Sequence, residues 1–204
     1  KIRRNLMLEA LEKHFKDIKN TKDIPSELHT VEPKQDGEKR VVINKESAVQ
    51  MLAITYHIPN FEHEDQVALS ALSELLSSGK SSILQKKLVD EKRLVNTIYA
   101  YNMDLKDPGL FMFMAVANEG VHAKEIEKEI LDTITQIKKG DISQKDIDKI
   151  KINTKADFIF SLESSTEVAS LYGSYLVRDN IKPLLDYEAK VEKLTKEDLI
   201  NVAK

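Results

Sequence analysis

The apolar positions change their period along this chain, and each change marks a different kind of element. Over residues 4–18, Leu6, Leu8, Leu11, Phe15 and Ile18 recur between Lys, Arg and Glu, which predicts an amphipathic helix. Residues 19–38 lose that period, hold Pro25, Pro33 and Gly37, and read as a linker or long loop. Two β-rich runs follow, Lys39 to Asn44 and Ala48 to Ile58, with Asn44-Lys-Glu-Ser47 near the turn of a possible hairpin. The second holds Met51, Leu52, Ala53 and Ile54 in sequence, which predicts a central strand covered over much of its length. A helix is expected at about 64–77, where Ala68, Leu69, Leu72, Leu75 and Leu76 form one stripe. Glu62, Glu64 and Asp65 suit its positive end.

The next stretch organises the chain. A small-residue loop, Ser77 to Ser82, contains Gly79 and offers Ser81 or Ser82 as a helix cap. A short helix with Ile83, Leu84 and Leu88 on one face precedes a β-rich run, Leu94 to Tyr101. Lys106-Asp-Pro-Gly109 signals a turn into Leu110 to Asn118, the most apolar strand, whose Phe111, Met112, Phe113 and Met114 are expected in the sheet core. Ile126, Ile130, Ile134 and Ile137 predict a helix over 122–138, with Gly140 at its end. Ser143 with Asp146, Ser164 with Glu167, and Thr195 with Asp198 have capping-box spacing. They predict helices over 144–161, 165–178 and 196–203, with another within 183–193. Tyr172 and Tyr175 are assigned to helix core. The fold class is α+β: an antiparallel-rich sheet with helices mainly on one face.

Bulk properties narrow the function classes. A 204-residue chain is long enough to bury a full core without metal or disulfide staples. A net charge of −3 gives no basic field for nucleic acid. The absence of cysteine removes disulfides and thiolate metal sites. No apolar run reaches the roughly 20 residues of a membrane span. The start at Lys1 without methionine reads as a cut from a longer protein, so the compartment, bacterial periplasm or cytoplasm, stays open.

The ordered series Leu76-Ser-Ser-Gly-Lys-Ser-Ser-Ile-Leu84, Asp90-Glu-Lys-Arg93 and Ile98-Tyr-Ala100 resembles the C-terminal domains of the pitrilysin and mitochondrial-processing-peptidase family of zinc peptidases. Asp65-x-x-Ala68-Leu69 extends the match upstream and Thr195 to Ala203 downstream, so that it covers most of residues 39–204. The resemblance implies a catalytically inactive domain that forms part of a peptide-enclosing chamber and of the subunit contacts. Residues 1–18 would then be a helix left from the preceding zinc-bearing domain, 19–38 a linker, and 39–204 the inactive domain. Zinc is expected in that N-terminal domain of the parent protein and none in this fragment. The implied partners are the zinc-bearing domain, a related subunit in a homo- or heterodimer, and a peptide substrate. Two other classes remain: a noncatalytic scaffold subunit of the same family, and a small-molecule-binding α+β domain unrelated to peptidases.

The candidate chemistry is sparse. None of His14, His29, His57, His63 and His122 has the His-x-x-Glu-His spacing that sets two imidazoles around zinc beside a water-activating glutamate. His57 with Glu62-His63 is two residues too long and broken by Pro59. In active relatives an arginine and a tyrosine seven residues apart hold the scissile carbonyl. The matching positions here are Val89 and Asn96, and neither reproduces that pair. No catalytic residue is assigned. The loop Ser77, Ser78, Gly79, Lys80, Ser81, Ser82 has two open readings: a substrate-facing wall, or a helix connection built on a glycine turn.

Overall fold

In the computed structural model, which describes residues 3–19 and 33–204, the chain divides into two units, Lys1–Asn44 and Lys45–Lys204. The first unit contains α1 (Arg4–Phe15), none of whose residues is buried. Most of the expected linker, residues 20–32, lies outside the described residues. The expected strand Lys39–Asn44 is a correction. It is not a strand, and Val41, Val42 and Ile43 are 82%, 76% and 78% exposed. β-propensity measures fit to a pleated, half-buried surface, so an apolar run without a ladder neighbour has nothing to fit.

The second unit is built on three antiparallel strands, β1 (Met51–Ile58), β2 (Val95–Met103) and β3 (Gly109–Ala117), in the order β1-β3-β2. The centre is therefore β3, whereas β1, expected to be central, lies at one edge of the sheet. Its unbroken apolar run does not distinguish a strand flanked on both sides from one flanked on one side. β2 and β3 are joined through the Asp-Pro-Gly turn and pair from Met103↔Leu110 to Val95↔Ala117, with a register shift between Val95 and Thr97. Asn96 is the extra residue of that β-bulge.

One face of the sheet carries the core. Phe111, Phe113, Ala115 and Ala117 of β3, with Ile98 and Ala100 of β2, are buried in a single cluster with Leu69, Leu72 and Leu76 of α2 (Gln66–Ser77). That cluster continues through Ile126, Ile130 and Ile137 of α3 (Ala123–Lys138), then through Ile147 and Ile150 of α4 (Gln144–Phe160). The isoleucines of α3 recur every third or fourth residue, so one stripe faces inward while Lys and Glu stay in solvent.

The carboxy-terminal part adds α5 (Ser165–Leu176), α6 (Lys182–Lys193) and α7 (Lys196–Ala203). Reciprocal capping boxes open α4 and α7: Ser143 and Thr195 accept from the amides of Asp146 and Asp198, whose carboxylates accept from the cap amides. Ser164 accepts from the amide of Glu167 at the start of α5. The aromatic assignment in α5 needs correction. Tyr172 is exposed, and Tyr175 is half-buried edge-on to Phe61. Among the described residues no helix is long and apolar enough to cross a membrane.

Candidate functional site

The strand registers place twelve side chains on the sheet face opposite the helices, in four rows of three. The rows are Met51–Val116–Thr97, Ala53–Met114–Tyr99, Thr55–Met112–Tyr101 and His57–Leu110–Met103. Directly opposed residues of antiparallel strands share a face, and successive residues alternate faces. Met51, Tyr99, Tyr101 and Met114 are 68%, 61%, 56% and 42% exposed, so this face lies bare. Met112 and Met114 thus belong to the open face, and only Phe111 and Phe113 of that quartet belong to the core. The unbroken apolar run predicts core for all four, but period-two geometry sends alternate residues of it to solvent. The signal that could have found this face was the alternation Tyr99, Tyr101 against Ile98, Ala100.

The edges of this face are fixed by polar contacts. At the β2 edge, Ser77 Oγ accepts from the Ala100 amide (2.7 Å) and donates to the Ala100 carbonyl (3.1 Å). Ser77 thereby covers an edge that would otherwise present unpaired backbone groups. At the far end of the β2–β3 turn, the Arg178 guanidinium lies over the rings of Phe61 (4.4 Å) and Tyr175 (4.5 Å). It also donates to the Asp104 carbonyl (3.2 Å) and carboxylate (3.1 Å), which ties the end of α5 to the turn.

The serines of the candidate loop are largely engaged in structure. Gly79 takes φ +73°, a left-handed conformation that side chains disfavour. Ser82 is buried, and its hydroxyl donates back to the Gly79 carbonyl (2.8 Å). The expected serine cap is therefore absent from the following helix, which is a π-helical turn over Gln85–Glu91 anchored by buried Leu84 and Leu88. Lys149 of α4 donates to Ser81 Oγ. Nearby, burial pushes the Glu74 carboxyl above its ordinary range, opposed by the Thr154 hydroxyl donating to it at 3.0 Å. Ser78, Gly79 and Lys80 stay exposed at the tip. Replacing Ser77 with Ala should leave both Ala100 backbone groups without this partner and cost about 1–3 kcal/mol. Urea denaturation would measure it, and an unchanged midpoint would mean that the hydroxyl does not hold the loop to the strand.

Val89 and Asn96 occupy different environments. Val89 is half-buried against the core, while Asn96 is exposed on the bulge and accepts from Thr97 Oγ1 (3.0 Å). Arg93 takes φ 53° where the π-helical turn enters β2, and its carbonyl accepts from Asn118 Nδ2 (2.7 Å). Lys92 and Lys87 reach Glu129 of α3 at 2.5 and 3.1 Å. The hydrogen bond from Lys92, seconded by Lys87, holds the Glu129 carboxyl below its usual range.

Among the described residues of the second unit the histidines do not gather as a metal site. His57 lies on the open face, His63 accepts from the Asp65 amide through Nδ1 (3.2 Å), and His122 precedes α3. His29 lies outside the described residues. Among the described residues no group of three or more His, Asp or Glu side chains could hold a metal ion, so zinc does not fit the side chains assembled here. A separate apolar cavity of about 240 Å³ opens on the helix side of β1, between Leu69, Phe111, Ile134 and Val202.

Comparison with known proteins gives a consistent picture. The family profile described as the peptidase M16 inactive domain matches residues 4–154. The zinc protease PqqE of Helicobacter pylori is 46% identical over 200 residues, spanning 97% of this chain and 45% of that protein. A crystal structure of a protease from Helicobacter pylori superposes with a TM-score of 0.94 at 43% identity, covering 99% of this chain and 49% of that one. The mitochondrial-processing peptidase subunit beta of Saccharomyces cerevisiae is 30% identical over 110 residues, 52% of this chain and 24% of that subunit. The chain thus spans less than half the length of the curated relatives it matches.

Proposed function

The chain belongs to the peptidase M16 inactive-domain family of zinc proteases, and from that premise we propose that it supplies a noncatalytic, substrate-positioning wall of a zinc peptidase chamber. The observation that carries this reading is the bare four-by-three sheet face. A helix-backed sheet normally leaves its second face polar when that face meets only water. Here it presents methionine, tyrosine, leucine and valine instead. Backed by the core, such a surface can hold an extended peptide without supplying a reacting group. The exposed loop tip Ser78-Gly79-Lys80 would form a rim beside it, as the end of a Ser77–Ser82 loop tied to the β2 edge and α4.

The chemistry of cleavage would come from elsewhere. Water activation would come from the zinc of an N-terminal domain in the parent protein; among the described residues no group of three or more His, Asp or Glu side chains could hold a metal ion. The Val89 side chain has no hydrogen-bond donor for an oxyanion, and Asn96, which has one, is shorter than tyrosine. What this domain contributes is orientation, and holding a peptide in register can lower a barrier by several kcal/mol. The exposed apolar residues of α1 support assigning residues 1–18 to the zinc-bearing domain, with 19–38 as linker and 39–204 as the inactive domain. A related subunit in a homo- or heterodimer would complete the chamber.

The test is to assay the zinc-bearing half for peptide cleavage with and without this chain added in trans, together with any partner subunit. Cleavage should depend on the added chain. Full activity of the zinc half alone would contradict a positioning role. Replacing Ser77–Ser82 with a rigid loop separates rim from scaffold: restored cleavage that ignores the loop leaves it a structural connection.

A further inference from the structure

Independently of the open sheet face, we infer that the cavity on the helix side of β1 is a binding site for a small, uncharged aromatic molecule. Folded cores pack to crystal density and hold few voids larger than a water molecule, so a space of about 240 Å³ against the core stands out from ordinary packing. An apolar cavity of about 150 Å³ takes one benzene ring. In proportion, 240 Å³ holds about ten heavy atoms, the size of a fused bicyclic ring.

The walls set the chemistry. Leu69, Leu72 and Leu76 of α2 and Ile137 of α3 are buried and give the cavity an apolar floor, and Ile134 of α3 and Val202 of α7 complete the aliphatic lining. The sheet side is aromatic. Tyr56 stands edge-on to Phe113, with centroids 6.4 Å apart and planes at 85°, and Phe111 lies 5.4 Å from Phe113 at 58°. A further ring beside these three gains edge-to-face and offset contacts that an aliphatic chain cannot make. Tyr56 pairs with Phe111 and so shares the core-facing side of β1, yet it is 43% exposed, which places the mouth at the β1 edge.

The rim rules out an ion. No Asp or Glu lines the cavity, and its chargeable residues other than Tyr56, namely His57, Lys138 and Lys204, are all exposed. The two lysines stand at the ends of α3 and α7, where the last carbonyls carry partial negative charge that a lysine offsets. The apolar interior therefore has no fixed charge to receive an ionised ligand. The same rim favours a free molecule over a side chain from the rest of the parent protein. A neighbouring domain that plugged the mouth would press its backbone onto both lysines and strip their water, whereas a small molecule passes between side chains that stay hydrated.

The experiment titrates the 204-residue chain, labelled with carbon-13 at its isoleucine methyls, with indole. The indole ring current should shift Ile58, Ile134 and Ile137, which line the cavity, and leave the exposed Ile152 and Ile159 of α4 in place. Benzoate and benzylammonium should bind at least tenfold more weakly, and octanol, with as many heavy atoms as indole, should also bind more weakly. Ile134→Phe and Val202→Phe each fill the space with protein and should weaken indole at least tenfold in a chain that still melts cooperatively. Joining the chain to its zinc-bearing half should leave the affinity for indole unchanged. No shift at the cavity methyls, or equal shifts at every isoleucine, would overturn the site. Equal binding of either ion or of octanol would overturn its chemistry. A folded, filled variant that binds indole as before would place the ligand elsewhere, and loss of binding in the joined protein would show that the parent covers the mouth; either result contradicts the inference.

Discussion

Gly109→Ala should unfold the chain or lower its stability by about 4 kcal/mol or more, one of the few single substitutions expected to act on that scale. A Cβ built at Gly109 lies 2.0 Å from the Met103 carbonyl oxygen and 3.2 Å from its carbon. Both atoms are main chain, so no side-chain rotation can relieve the overlap. Gly109 opens β3 opposite Ile58 at the point where β2 and β3 converge, and any displacement there would spoil the register that assembles the open face. Urea denaturation followed by circular dichroism gives the loss, with Gly79→Ala as a control. Gly79 also has a special conformation but has open space around its missing Cβ, so its replacement should cost only about 1–2 kcal/mol. Similar costs at the two positions would show that the close approach at Gly109 relaxes freely.

Met114→Lys should reduce kcat/KM of the assembled protease toward an uncharged peptide by about tenfold or more, a loss of about 1.4 kcal/mol in transition-state binding. Met114 is the middle residue of its row, opposed by Ala53 and Tyr99, and no carboxylate among the twelve wall residues could pair with the new ammonium. A bound peptide would strip water from that charge. The lysine stem lets the ammonium reach back toward solvent, which keeps the penalty below that of a fully buried charge. Because Met114 is exposed in the free chain, folding stability should change by only about 0.5 kcal/mol. Loss of activity with retained stability is the combination that identifies a contact surface.

Most of the helical scaffold was legible from sequence because its signals are local. Capping residues and isoleucine spacing give α3, α4 and α7 within a residue or two of their observed limits. The turn between β2 and β3 was legible through Lys106-Asp-Pro-Gly109. What sequence did not carry was the neighbour relation: whether Lys39–Asn44 joins a ladder, and which strand is central, depend on long-range pairing. The same limit hid the open face. Met112 and Met114 read as core because they stand beside Phe111 and Phe113, and only the absence of a layer over the second side distinguishes them. In the serine loop the composition was legible, but not the use of Ser77 on the β2 edge, which joins residues 23 positions apart.

The decisive comparison is kcat/KM of the zinc-bearing half reconstituted with three forms of this chain: unaltered, Met114→Lys, and Leu131→Lys. Leu131 is a partly exposed apolar residue of α3, on the helix layer away from the open face, and serves as a matched surface change. A substrate wall on the open sheet face predicts at least a tenfold loss for Met114→Lys and a change within about twofold for Leu131→Lys, with all three forms equally folded. Equal activity of all three would contradict it, since a charge at the centre of the proposed wall would then go unnoticed by the substrate.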